Sequence, residues 1–263
     1  MTVPKCGGDA VTLASGQAFL GTIAVDSDNV YWTNLGDAQG SVMRLAIHGT
    51  IPVTLATGQD PVGVALDATY VFWTDAFGGT VMKMAKSGGA PTTIATEQFS
   101  AGELAVNATD ACWTINNGNF PDEVPGVVCV RLSGGTPFTV ASGNAIYWGL
   151  ALDATTAYSL SGDGSGSGSI IAIPLAGGTA VTLGSGDPAG IAVDQANVYW
   201  TNNPEDGGTG SVIRVPKRGG DSVTLAAGQI NVGAVAVDSQ HVFWTDDPSV
   251  FVDGGPAVLA GPK

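Results

Sequence analysis

One phrase recurs six times along the 263 residues, and this repetition constrains the fold more than any other feature of the sequence. The phrase is close to Gly-Ile-Ala-Val-Asp, three spacer residues and Val-Tyr-Trp-Thr-Asn, and its clearest copy runs from Gly190 to Asn202. Its landmark residues are Asp26, Asp67, Asn107, Asp153, Asp194 and Asp238, which lie 41, 40, 46, 41 and 44 residues apart. This period is typical of β-propeller blades and too long for a leucine-rich repeat.

The remainder of each repeat predicts three further strands. After the Trp-Thr-Asn come a loop, a strand such as Gly40 to Leu45, a Gly-Gly turn and a Val-Thr-Leu-Ala strand. The sequence contains 39 Gly and 14 Pro, and no stretch has a sustained helical period. We therefore predict one all-β domain over residues 1–263, a six-bladed β-propeller with four-stranded antiparallel blades.

Both termini are expected to share one blade. Residues 2–8 align with residues 214–220, so the chain begins in the third strand of a blade, and residues 2–16 complete the blade that begins at Asp238. Such closure removes unpaired edge strands. Segments 249–252 and 256–259 are alternative third and fourth strands of that blade, which would leave residues at one end surplus or domain-swapped.

The repeats resemble those of the YWTD-type six-bladed propellers of lipoprotein-receptor-like proteins. The motif is nearly verbatim in Phe72 to Asp75 and Phe243 to Asp246, and it reads Tyr-Trp-Thr-Asn at 31–34 and 199–202. The resemblance covers the whole chain. The sequence lacks the Cys-rich modules that flank the propeller in the receptors, so the resemblance is to a free-standing propeller of bacterial type. It implies a rigid disc whose loops bind protein or peptide partners, usually without catalysis.

The net charge of the chain disfavours some classes of binding partner. The net charge of −14 comes from 23 acidic and 9 basic residues, and it repels nucleic acid and anionic lipid surfaces. No apolar run is long enough to span a bilayer, and the N-terminus does not read as a signal peptide. The low share of charged residues, 12%, is typical of exported β proteins, so we expect an extracellular or periplasmic location.

Two of the three cysteines replace a recurring cross-strand pair. In most blades the residue before the motif Trp is aromatic, and the third strand carries a cation in the slot held by Arg44, Lys83 and Arg214; in the third blade the two positions hold Cys112 and Cys129. Facing positions on antiparallel strands have the separation that a disulfide requires, so a Cys112–Cys129 bridge and two buried thiols are the alternatives. Cys6 is then left for intermolecular pairing, and a dimer through Cys6 or the termini is possible.

Candidate ligand-binding residues lie in the loops that depart most from the repeat. Loops on a rigid scaffold commonly carry recognition, and exposed aromatic residues grouped on one face indicate an interaction site. The alternative is that these side chains plug the central channel or pack on neighbouring loops. The candidate residues are Phe19, Asp60, Phe77, Phe99, Phe120, Tyr147, Trp148, Asp187 and Ile230.

The sequence contains few residues that could carry chemistry. His48 and His241 fall in turns on the opposite face, no catalytic residue is proposed, and no zinc spacing occurs. No cofactor is expected, although loop carboxylates could bind calcium. Three functions fit: a non-enzymatic module that binds a protein, peptide or glycan, a metal-dependent lactonase-like or lyase-like enzyme with its site at the channel mouth, and a structural repeat protein. The first is the main prediction.

Overall fold

The repeats fold into antiparallel β-sheets, one for each copy of the motif. The computed structural model describes residues 13–15, 17, 19–36, 39–116, 124–164, 167–204, 208–246 and 257–262, and no helix occurs among them. Two compact units are present: residues 1–123 with 130–137, and residues 124–129 with 138–263. The prediction of a single domain therefore remains a prediction, and the two units are described separately.

The first unit contains two complete four-stranded sheets, in which the strands are ordered as in the sequence. The first strands of successive sheets lie side by side. The first sheet consists of β1 (Leu20–Val25), β2 (Asn29–Asn34), β3 (Gly40–Ala46) and β4 (Val53–Gln59), and the second of β5 (Pro61–Leu66), β6 (Tyr70–Asp75), β7 (Thr80–Ala85) and β8 (Thr92–Ala95).

The third sheet has four strands divided between the two units, in the order β12-β11-β10-β9. Its strands are β9 (Ala101–Val106), β10 (Asp110–Ile115), β11 (Gly126–Arg131) and β12 (Phe138–Ser142). Cys112 and Cys129 are both buried and both disulfide-bonded. The chain has three cysteines, so if one of these two were bonded to Cys6, the other would have no partner. Cys112 and Cys129 are therefore bonded to each other. This confirms the predicted bridge and excludes two buried thiols.

The second unit contains two further four-stranded sheets and one sheet of three described strands. The fourth sheet consists of β13 (Ile146–Leu152), β14 (Thr156–Gly162), β15 (Gly168–Pro174) and β16 (Val181–Gly186), and the fifth of β17 (Pro188–Val193), β18 (Asn197–Asn202), β19 (Gly210–Pro216) and β20 (Val223–Gln229). The last sheet consists of β21 (Val235–Val237), β22 (His241–Asp246) and β23 (Ala257–Pro262).

The third strand of the last sheet does not come from the N-terminal segment that the sequence predicts. β23 pairs with β22 in the third-strand position, so this strand comes from the C-terminal segment and not from residues 2–8. Closure of a ring is not shown among the described residues: Ile23 of β1 is exposed, whereas the equivalent Val64 of β5 is buried against the preceding sheet. A fourth strand from residues 2–16 remains a prediction, because most of that segment lies outside the described residues.

The motif residues form the packing between sheets. Trp73 is fully buried and packs with Tyr31 and Val42 of the preceding sheet, and Trp200 packs in the same way with Tyr158 and Ile170. Each landmark Asp or Asn accepts hydrogen bonds from the backbone N–H groups two and three residues later; for Asp67 both distances are 2.6 Å. The repeated residues therefore build the fold, as the sequence predicts.

Candidate functional site

The loops of three successive sheets are joined by hydrogen bonds at one end of the first unit. Leu35 N–H donates to the Phe19 carbonyl at 2.8 Å, and Gly36 N–H donates to Asp60 Oδ1 at 3.2 Å. Asp60 N–H in turn donates to Asp75 Oδ1 at 3.1 Å. We call residues 19–20, 35–36, 60–61, 75–79 and 97–100 the first-unit loops. These bonds order the loops at the ends of the strands opposite the landmark turns.

Two predicted aromatic residues project from the first-unit loops into solvent. Phe19 is 79% exposed and Phe77 is 64% exposed. Phe19 also has a φ of 46°, a left-handed conformation that is uncommon for a bulky side chain. Exposed rings on ordered loops lose little entropy on binding, so these two side chains are suited to anchor a partner.

Phe99 supports the loop that carries Phe77. Its ring lies against Gly79, where an added Cβ would come within 2.8 Å of the Phe99 ring. Gln98 N–H donates to the Gly79 carbonyl at 2.8 Å, and Ser100 N–H donates to the Ala76 carbonyl at 3.0 Å. Phe99 is therefore half-buried packing beneath the loop, as the alternative interpretation of these aromatic residues predicts. Phe120 lies outside the described residues.

Asp60 has a structural role within the first-unit loops. Its carboxylate accepts the Gly36 N–H, its carbonyl accepts the Ala76 N–H at 3.1 Å, and its own N–H is bound by Asp75. Asp75 Oδ1 accepts a second hydrogen bond, from Gly78 N–H at 3.0 Å. These two carboxylates therefore fix the loop backbone.

In the second unit, two of the predicted site residues are held in place by packing. Tyr147 is buried, 6% exposed, and this burial raises the pKa of its hydroxyl. Trp148 is half-buried, with its ring against Gly162, and its Nε1–H donates to the Pro188 carbonyl at 3.0 Å. Leu160 replaces the motif Thr in this sheet, and the Trp148 indole makes a hydrogen bond to the next sheet, to a carbonyl one position before the one that Thr33 and Thr74 bond in their own neighbours.

The Asp187 carboxylate differs in its hydrogen bonding from that of Asp60, which occupies the same position before the second sheet. Asp187 N–H donates to Asn202 Oδ1 at 2.7 Å, which repeats the backbone contact of Asp60. Its carboxylate is half-buried and accepts no hydrogen bond within the described residues. In the next loop, Asn231 has a φ of 52° and its Oδ1 accepts a hydrogen bond from Asn203 Nδ2 at 3.1 Å. Ile230 is half-buried beside Asn231.

No group of three or more His, Cys, Asp or Glu side chains that could hold a metal occurs in the described part of the chain. The acidic connections at 37, 122–123, 205–206 and 247 fall outside that part. The calcium expectation therefore remains untested.

Two recurrent polar contacts were not predicted from the sequence. The motif Thr donates from Oγ1 to a carbonyl of the next sheet, as Thr33 does to Val62 and Thr74 to Gly102, both at 2.8 Å. A Gln located 15 residues before the motif Trp accepts the indole N–H in three repeats. These pairs are Gln17 with Trp32, Gln98 with Trp113, and Gln229 with Trp244. The constant spacing was the available sequence signal.

Comparison with solved structures identifies the architecture. The crystal structure of a nidogen/laminin complex matches at 17% identity with a TM-score of 0.63, covering 89% of each chain. Catalytically inactive virginiamycin B lyase from Staphylococcus aureus with quinupristin matches at 13% identity and 0.70, over 92% of this chain and 82% of that chain. PQQ-bound aldose sugar dehydrogenase from Streptomyces coelicolor matches at 15% identity and 0.61, over 96% of each chain. The chain has a β-propeller fold.

These identities establish the fold alone, since the similar structures include a protein complex as well as enzymes. No family model matches the sequence, and no curated protein matches it significantly. No helix in the described part of the chain has the length and apolar character needed to cross a membrane.

Proposed function

We propose that this propeller is a non-enzymatic binding module that recognises a protein or peptide through the first-unit loops. The observation that carries the proposal is the exposure of Phe19 and Phe77 on loops whose backbone is hydrogen-bonded across three sheets. Interfaces are enriched in aromatic residues, and a few well-ordered anchors usually contribute most of the binding energy.

The enzymatic alternative has less support among the described residues. Each of the two histidines, His48 in the first unit and His241 in the second, lies at the landmark-turn end of the strands of its own sheet. Asp60, which the channel-mouth hypothesis would use as an acid, accepts a backbone hydrogen bond. The Asp187 carboxylate accepts no hydrogen bond from the described part of the chain, but its neighbours Asn203 and Asn231 are amides that suit hydrogen bonding to a ligand better than proton transfer.

We also propose export of the protein. The buried Cys112–Cys129 bridge supports folding in an oxidising compartment, where disulfides form and persist. Extracellular or periplasmic partners are therefore the ones to test first.

Selection with a random dodecapeptide library displayed on phage tests the binding proposal. The full chain is immobilised, enriched peptides are synthesised, and their dissociation constants are measured by fluorescence anisotropy. We expect Phe77→Ser to weaken binding at least tenfold, because the substitution removes an anchor without touching the hydrogen bonds that order its loop.

Ile51→Ser is the matched control, because Ile51 is 78% exposed in the same unit at the opposite end of the strands. It should change the dissociation constant by less than twofold. Failure to enrich any peptide over uncoated wells, or peptides whose affinity is unchanged by both Phe77→Ser and Phe19→Ser, would refute the proposal.

A further inference from the structure

The charges of the first unit are segregated along its strands. Four Lys or Arg residues are described in this unit: Arg44, Lys83, Lys86 and Arg131. Each lies in the second half of a third strand or in the residue after it, at the end of the sheet where the landmark turns also lie. The first-unit loops, at the other end, contain no Lys or Arg.

The cations of this unit are also held by neighbouring groups. Lys86 Nζ lies 2.9 Å from Asp26 Oδ2, and Arg131 Nη1 lies 2.7 Å from Asp110 Oδ1. Arg44 Nη1 donates to the Lys86 carbonyl at 2.8 Å. Lys83 lies over the Tyr70 ring, with its Nζ 4.8 Å from the ring centroid. These contacts keep the positive charge at the landmark-turn end.

The first-unit loops carry only negative charge beside their exposed rings. Asp60 and Asp75 accept hydrogen bonds from neutral N–H groups, and no cation of the described residues pairs with them. Glu97 is exposed, two residues before Phe99, and has a φ of 59°.

We infer that the partner bound by Phe19 and Phe77 is a basic segment in which apolar side chains are flanked by Lys or Arg. This inference rests on the proposed function and specifies its ligand. Apolar groups of such a segment bury the two rings, and its cations face carboxylates and the negative faces of the rings. An acidic segment of the same apolar content is repelled from the same surface.

Two synthetic dodecapeptides provide the test. Both have the same Leu and Phe residues, and the remaining positions are Lys in one peptide and Glu in the other. With the full chain in 50 mM NaCl, we expect the Lys peptide to bind at least tenfold more tightly than the Glu peptide. Raising NaCl to 300 mM should weaken Lys-peptide binding at least tenfold, since the Debye length shortens by about half and the attraction between exposed charges is screened.

Two charge variants localise the effect. Glu97→Gln removes one negative charge from the first-unit loops and should weaken the Lys peptide about two- to fivefold. Asp28→Asn removes the same charge from an exposed position at the landmark-turn end and should leave the affinity unchanged. Equal affinities for the two peptides, or equal effects of the two variants, would overturn the inference.

The outcomes also separate this inference from the proposed function. If phage-selected peptides require Phe77 but show no preference for Lys or Arg, the binding module stands and the basic ligand is wrong. If no peptide requires Phe77 or Phe19, both are wrong.

Discussion

At the scale of single residues, the motif Thr is the least obvious contributor to the fold. Thr74 is fully buried; its Oγ1 donates to the Gly102 carbonyl at 2.8 Å and accepts the Gly63 N–H at 2.8 Å. Thr74→Val keeps the shape and leaves both backbone groups unpaired. We expect a loss of about 2–4 kcal/mol in the free energy of unfolding, measured by urea denaturation.

Thr114 provides a matched control for this prediction. It occupies the same motif position and is also fully buried, but its Oγ1 has no hydrogen-bond partner among the described residues. Thr114→Val should therefore be neutral or stabilising, because it removes a buried polar atom that is not satisfied. Equal losses for the two variants would show that the Thr contributes through packing and not through its hydrogen bonds.

At the scale of structural elements, ion pairs join the turns of neighbouring sheets. In the second unit, Lys217 Nζ lies 2.9 Å from Asp153 Oδ2, which also accepts the Tyr158 hydroxyl. Burial would raise the pKa of Asp153, but the hydrogen bonds from Thr155 N–H and Lys217 outweigh it and hold the pKa at about 2. Asp26 and Lys86 form the corresponding pair in the first unit.

The depressed pKa gives the direction of a pH effect. Because the folded pKa lies below the unfolded value near 3.8, Asp153 stabilises the fold above about pH 4 and loses this contribution as the pH falls toward 2. Asp153→Asn should cost about 1 kcal/mol at pH 7, and its stability should fall less steeply between pH 4 and 2 than that of the wild type. Urea titrations at each pH measure this difference. The exposed Asp221→Asn is the control, and a variant as acid-sensitive as the wild type would contradict the role of the pair.

Residues that belong to the repeat were predicted well from the sequence, and residues that depart from the repeat were predicted less well. The strand positions, the landmark turns and the facing positions of Cys112 and Cys129 follow from periodicity, because facing positions on neighbouring strands recur at fixed offsets, whereas the choice between a bridge and two thiols required the structure. The candidate site was less predictable, since Phe99 packs inward from its loop, and Tyr147 and Trp148 belong to strand β13 and not to the loop before it. Whether a loop side chain faces solvent depends on its neighbours in other sheets, and the sequence does not encode those contacts periodically.

At the scale of the whole molecule, one covalent link supplements many weak contacts between sheets. The Cys112–Cys129 bridge closes a short loop between β10 and β11, and its two sulfurs occupy the facing positions that hold an aromatic residue and a cation in the first, second and fifth sheets. In the unfolded chain such a link restricts the conformations available, which typically stabilises the native state by about 3 kcal/mol for a loop of this size.

The double variant Cys112→Ala/Cys129→Ala should therefore lower the free energy of unfolding by about 3 kcal/mol. Wild-type protein unfolded in urea with a reductant should approach the stability of the double variant, because the constraint on the unfolded chain is then lost. The double variant itself should not respond to reductant, and Cys6→Ala should match the wild type with or without it. Alkylation in denaturant without reductant should modify only Cys6, and modification of all three cysteines would contradict both the bridge and the proposed oxidising compartment.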